Sequence, residues 1–128
     1  MNGEVLLDTN IVIEFFGNDR EVVRQLQLVR FLVPSIVLGE LYAGARKSSR
    51  VHENLAHIDA MIVPTIVLSC DVATAWSYGK VKQALRQKGQ PIPENDVWIA
   101  SIALQHGLPL ISRDAHFRAV EGLSLVAW

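Results

Sequence analysis

The sequence predicts an α/β fold: three layers, α/β/α, with a central parallel-rich sheet. Three observations point to it. Short apolar runs rich in Val, Ile and Leu alternate with longer segments of helical period along nearly all of the 128 residues. Two of those runs stop abruptly on polar residues, Asp8-Thr9-Asn10 and Ser112-Arg113-Asp114, as strands do where their carboxyl ends open a ligand-binding edge. Gly17, Gly89 and Gly107 fall where helical periods end.

Taken in order, the first strand is 5–7, where Val-Leu-Leu meets the acid, hydroxyl and amide of Asp8, Thr9 and Asn10. Helices follow over 11–16 and 21–28, with Gly17-Asn18-Asp19 between them. A strand at 31–33 leads into Pro34-Ser35, a proline suited to a first turn and a serine suited to a cap, which open a helix to about Lys47. A helix over 51–61 and a strand over 63–68 come next, then a long helix over 71–88, ended by Gly89 and the rigid Gln-Pro-Ile-Pro-Glu linker. The last third reads as a helix 96–106 stopped by Gly107, a strand 108–112, a short helix 115–120 and a final strand 123–126.

A chain of this length with 50% hydrophobic residues holds one sizeable core, so residues 1–128 are expected to form a single domain. The lone Cys70 has no internal partner, and the start Met-Asn-Gly-Glu-Val lacks the basic and apolar regions of a secretory leader. Both fit a cytoplasmic location. The uncharged run between Asp59 and Asp71 is broken by Pro64 and falls short of the ~20 residues that span a bilayer, so no membrane partner is expected. Twelve basic against 13 acidic residues give a formal charge of −1, which excludes the broad positive field of many nucleic-acid binders. Two divalent cations on four acids would bring that charge to +3.

The acids themselves are the informative residues. Asp8 has a plain explanation as a helix cap, shared with Thr9 and Asn10. Asp114 ends a second apolar run on the same edge of the sheet. Glu40 falls on a helical stripe with Ile36, Val37, Ala43 and Gly44, where an unpaired charge is costly; a buried ion pair with arginine, or escape to water past Gly44, is the ordinary account. Asp96 heads the stripe Ile99, Ala100, Ala103, and complementing a helix dipole explains it alone, at roughly 0.3–1 kcal/mol. Together, four carboxylates in one cleft repel each other unless a cation intervenes. Oxygen ligands without paired cysteine or histidine spacing suit Mg²⁺ or Mn²⁺ better than zinc, and such an ion lowers the pKa of a bound water and neutralises charge on a phosphodiester.

The ordered set Leu-Leu-Asp-Thr-Asn, Gly-Glu-Leu after the second strand, Glu-Asn-Asp-Val-Trp-Ile-Ala-Ser, and Ser-Arg-Asp-Ala-His-Phe before a last strand ending in Trp128 resembles a PIN-domain ribonuclease of the VapC toxin type, over essentially the whole chain. The resemblance implies a PIN-like fold and an acidic metal site of Asp8, Glu40, Asp96 and Asp114, with Thr9, Asn10 and Ser112 assisting by hydrogen bonds. It implies Mg²⁺- or Mn²⁺-dependent endoribonuclease activity on tRNA, rRNA or mRNA, a homodimer, and the role of toxin in a type II toxin–antitoxin pair restrained by a VapB-type antitoxin. Because the family varies at the fourth acid, Asp114 stands either as a ligand or as a residue that holds water.

Two other functions compete with a nuclease. One is a catalytically inactive module whose acidic pocket grips a partner's arginine. The other, remote, is an Asp-nucleophile phosphatase, which wants a second acid where Asn10 stands. Among the remaining residues, Arg46, Lys47 and Arg50 serve equally as RNA-steering cations or as a solvated helix end. Arg113 and Arg118 flank Asp114, and solvation is the simpler reading of Arg118. His116 beside Phe117 reads as a packing or capping residue, and Trp76, Trp98 and Trp128 as core or dimer-interface residues. Ile11, Ile13, Phe15 and Phe16 read as core residues by default, with an exposed apolar patch for a partner as the alternative.

Overall fold

The computed structural model describes residues 3–128. Met1 and Asn2, on which part of the reading of the amino terminus rests, lie outside them. Five strands, β1 (Glu4–Leu7), β2 (Arg30–Pro34), β3 (Ile66–Leu68), β4 (Leu110–Ile111) and β5 (Leu125–Val126), form one sheet in the order β3-β2-β1-β4-β5. Every neighbouring pair is parallel. Helices α1 (Thr9–Phe16), α2 (Arg20–Leu26), α3 (Ser35–Lys47), α4 (Val51–Ile62), α5 (Val72–Lys88) and α6 (Glu94–His106) flank it, with a 3₁₀ turn over Ala115–Ala119. The expected three-layer α/β/α arrangement is what forms.

The sheet explains why the apolar runs are continuous rather than alternating. A strand covered on both faces buries every side chain, and Val5, Leu6 and Leu7 of β1 are all buried between β2 and β4. Because β1 pairs with β2 on one side and with β4 on the other, the strand order reverses direction at β1. In a parallel sheet the crevice at such a point, outside the carboxyl ends, is where ligands bind. Leu7 pairs with Ile111, so the residues that follow each, Asp8 and Ser112, emerge side by side.

Several element limits differ from those expected, for local reasons. Pro34 is the last residue of β2 and the cap of α3, with no side-chain capping bond, so Ser35 does not act as the cap. The strand expected from residue 63 begins at Ile66, because Val63 closes α4 and Thr65 turns back, its N–H donating to Ile62 O at 2.9 Å and its hydroxyl to Met61 O at 2.6 Å. The linker ends sooner than expected: the Pro93 carbonyl accepts from Asp96 N at 3.0 Å, which starts α6 at Glu94. Asp71 caps α5 with a capping box to Thr74. Gly89 and Gly107, at φ 66° and 63°, provide the left-handed caps of α5 and α6, a conformation that costs other residues about 1 kcal/mol.

The stripe expected for α6 is borne out, with Ile99, Ala100 and Ala103 at 0–1% exposure and Val97, Ser101 and Ile102 buried as well. The stripe expected for Glu40 is not. The buried residues of α3 are Val37, Leu41 and Ala45, while Ala43 and Gly44 face solvent, so Glu40 stands at the rim of the core and not on its face. Ile11 is buried as expected, but Ile13 is 51% exposed and Phe15 and Phe16 are only half-buried. Of the tryptophans, Trp76 is 71% exposed with Lys80 Nζ 5.7 Å from its ring centroid, which removes it from the core. Trp98 stacks on Tyr78 at 4.0 Å and Trp128 packs against the core edge. Among the described residues no helix is long and apolar enough to cross a membrane.

The close approach of α6 to the core depends on its alanines. Ala100→Leu is expected to cost about 1–3 kcal/mol through overpacking, read as a lower urea midpoint, and to displace Asp96 one turn earlier.

Candidate active site

The four acids named from the sequence all line one cleft, together with Thr9, Asn10, Asn95 and His116. Its floor is the junction of β1 and β4. Asp8 is the most buried of the acids, at 5% exposure, and both of its oxygens are engaged. Oδ1 accepts from Thr9 N at 2.8 Å, which caps α1, and Oδ2 accepts from the Ser112 hydroxyl at 2.7 Å. The capping role and the site role of Asp8 are therefore one arrangement. Asn10 lines the cleft exposed to solvent.

Two hydroxyls extend the contact on either side. Thr9 Oγ1 donates to Glu40 Oε1 at 2.6 Å, tying α1 to α3. Ser112 Oγ accepts from Asp114 N at 3.0 Å while it donates to Asp8. Asp114 caps the 3₁₀ turn, accepting from His116 N at 3.2 Å. The His116 ring then spans to the last acid: Nδ1 lies 2.7 Å from Asp114 Oδ1 and Nε2 lies 2.5 Å from Asp96 Oδ2. Glu40, Thr9, Asp8, Ser112, Asp114, His116 and Asp96 form one hydrogen-bonded arc around the cleft.

His116 is the residue that sequence reasoning set aside. It does lie against Phe117, with centroids 5.5 Å apart, but its imidazole also joins two of the acids. The local pattern carried no signal for this, because the Asp96 carboxylate it meets is 20 positions away on another element. Asp96, Asp114 and His116 each offer a ligand atom, all within 4.8 Å of one another.

Burial dominates the electrostatics of the two central acids. It pushes the Asp8 carboxyl above its ordinary value, against the lowering effect of the Ser112 and Thr9 hydrogen bonds, and the charges of Asp96 and Glu40 add to the rise. The Asp96 carboxyl is raised for the same first reason, opposed by His116 and reinforced by Glu40 and Asp114. No arginine or lysine compensates them: none is among the described residues lining the cleft. Arg113 turns away, its Nη1 bound to Asp19 at 3.0 Å and its Nε donating to Trp128 O at 2.6 Å. Arg50 pairs with Glu53, and Arg46 and Lys47 sit exposed in the last turn of α3. Arg118 lies with Lys88 in an adjoining groove that shares His116 with the cleft. An uncompensated set of carboxylate oxygens with one imidazole is the donor chemistry of a divalent cation site.

The chain matches known proteins over nearly all of its length. The family model of the PIN domain matches residues 5–123. The chain is 33% identical over 127 residues to the tRNA(fMet)-specific endonuclease VapC of Shigella flexneri, with 96% of each covered. It is 33% identical over 132 residues to ribonuclease VapC2 of Haemophilus influenzae, again with 96% of each covered. The fold matches, at a TM-score of 0.92 and 27% identity over 98% of both chains, the crystal structure of VapBC2 from Rickettsia felis bound to a DNA fragment from their promoter.

The raised pKa of Asp8 sets a direction for stability. A carboxyl that holds its proton more tightly when folded contributes stability fully below the ordinary value of 3.8 and loses it as pH rises through the folded value. At neutral pH the metal-free protein carries that charge at a cost. Asp8→Asn keeps a cap acceptor and removes the charge, so calorimetry at pH 7 in EDTA is expected to show a higher Tm, by roughly a few degrees.

Proposed function

The chain belongs to the PIN-domain family, among its VapC-type ribonucleases, and from that premise we propose that its acidic cleft hydrolyses RNA phosphodiester bonds with a divalent cation, Mg²⁺ or Mn²⁺. The observation that carries this reading is the arc of four carboxylates at the β1–β4 switch point with no lysine or arginine on the lining. Repulsion within such a set is relieved by an ion of charge +2. The chemistry that ion supplies is Lewis acidity toward a phosphoryl oxygen and a lowered pKa for a water it holds.

The protein's own part is to aim the oxygens. Asp8 is fixed by Thr9 N and Ser112 Oγ, and its remaining lone pairs face the cleft. Asp96 is carried to the same space by the first turn of α6. Glu40 engages Thr9 through Oε1, which leaves Oε2 to accept a proton from an attacking water. Asp114 fixes the backbone of the 3₁₀ turn and holds its carboxylate at the outer wall, as a ligand or as an acceptor for water. Thr9 and Ser112 position, and Asn10 stands where a substrate hydroxyl or phosphate would pass.

Relatives named for VapBC complexes extend the reading to partners. The chain acts as the toxin of a type II toxin–antitoxin pair, is restrained by a VapB-type antitoxin, works as a homodimer, and takes a tRNA, rRNA or mRNA as substrate.

Purified protein incubated with total cellular RNA is expected to give sharp cuts in one RNA class with Mg²⁺ or Mn²⁺ and none with EDTA, read by mapping the new ends. Asp8→Asn and Asp96→Asn are each expected to lower metal affinity or cleavage by roughly 10–100-fold or more. Partner binding without metal and without cleavage of any RNA would mark the cleft as an arginine-gripping module instead.

A further inference from the structure

A second groove lies beside the acidic cleft, and its charge is the reverse. Lys88, Gln90, Pro91, Ile92, His116 and Arg118 line it, no aspartate or glutamate among the described residues does, and its volume of about 420 Å³ leaves room for a nucleotide. His116 belongs to both linings, and the chain passes from one to the other, with Pro91 and Ile92 on the groove and Pro93 on the cleft. Carboxylates thus stand on one side of the His116 ring and cations on the other.

The two cations are not equivalent. Lys88 has an ordinary account in the last turn of α5, where its Nζ donates to Ala119 O at 2.8 Å and lies 3.6 Å from Glu121 Oε1. Those contacts brace the 3₁₀ turn that carries Arg118. Arg118 itself is exposed, and among the described residues it has no ion-pair partner, whereas Arg24, Arg30, Arg50 and Arg113 are all paired. Arg20, Arg46 and Arg86 also lack one, but none of them lines the groove or the cleft. Arg118 follows His116 by two residues in the turn, about 4 Å along its axis at roughly 2.0 Å per residue. Four carboxylates repel an approaching polyanion, and a chain of formal charge −1 offers no broad attraction to offset them. An unpaired guanidinium next to the cleft but off its lining gives phosphate a bidentate hold without neutralising the acids. Nucleic acid suits this layout better than an acidic peptide does, because its charges recur along one backbone. One phosphate can rest on Arg118 while another reaches the acids.

We propose that the groove of Lys88 and Arg118 is the track along which the substrate RNA strand lies, with Arg118 gripping a phosphate near the one to be cut. The proposal rests on the ribonuclease reading of the acidic cleft and adds the path of the substrate to it. Arg118 binds and positions the strand and takes no part in breaking the bond. Lys88 holds the turn in place and adds positive charge to the same wall.

The test is fluorescence anisotropy of a labelled oligouridylate with the whole purified protein, over a salt series in EDTA, which reads the grip without cleavage. Arg118→Gln is expected to weaken binding about tenfold, as loss of a charge-assisted hydrogen bond does. It is also expected to flatten the plot of log affinity against log salt by about 0.7, the share of one phosphate contact on a single strand. Arg118→Lys keeps the charge without the planar fork and is expected to restore that slope and part of the affinity. Arg30→Gln removes the same charge at the opposite edge of the sheet, where β2 begins, and is expected to change neither. With Mg²⁺ or Mn²⁺ present, Arg118→Gln is expected to raise KM and to leave kcat as it was. The proposal is overturned if Arg118→Gln binds like the unaltered protein, if Arg30→Gln loses as much, or if the unaltered protein does not bind the oligouridylate. It is overturned too if Arg118→Gln weakens an oligoglutamate peptide and not the RNA, which would make the groove a seat for a protein acid. Failure of the ribonuclease reading is distinct: an unaltered protein that cuts no RNA with either metal removes the premise, whatever the anisotropy shows.

Discussion

Asp8 is held at the end of a strand whose last three residues, Val5 to Leu7, are buried, with each oxygen hydrogen-bonded, and the rest of the site is arranged around that fixed charge. Its position is dictated by the sheet: β1 is central, its partners run parallel on both sides, and the residue after Leu7 has nowhere to go but the edge where β1 and β4 part. Burying a carboxylate there opposes stability, since desolvation raises its pKa more than two hydrogen bonds lower it. A divalent cation in the cleft, as proposed, would answer the charge that the two hydrogen bonds only partly offset. Stability and function pull on the same residue in opposite directions.

Much of the fold was legible because the code for a parallel α/β sheet is coarse. Uninterrupted apolar runs mark strands covered on both faces, and Gly89 and Gly107 mark helix ends by a backbone conformation few other residues tolerate. The limits that moved did so where local hydrogen bonds competed with period. The Pro93 carbonyl began α6 early, and Thr65 turned the chain before β3 could start. Neither event leaves a trace in hydrophobic spacing.

The acids were legible one at a time as polar residues in costly places, and as a set only through their order along the chain. Glu40 was identified by a stripe that proved wrong in detail, since Ala43 and Gly44 are exposed. It reaches the cleft because of its bond to Thr9, a contact across 31 positions. His116 escaped for the same reason in reverse. Its neighbours in sequence offer it a packing role, and the partner that defines it sits on α6. Contacts between elements are what a single sequence does not encode in any local pattern.

The arc from Glu40 to Asp96 has a consequence for how such a site can change over time. Thr9 touches Glu40 through its hydroxyl and Asp8 through its main chain, and Ser112 donates to Asp8 while accepting from Asp114. Each of these two residues touches two of the acids at once, so the effect of altering any member depends on which residues its neighbours already are. Epistasis of that kind narrows the viable routes by which the acidic set can drift: a lineage that replaces one link must adjust the adjoining link with it.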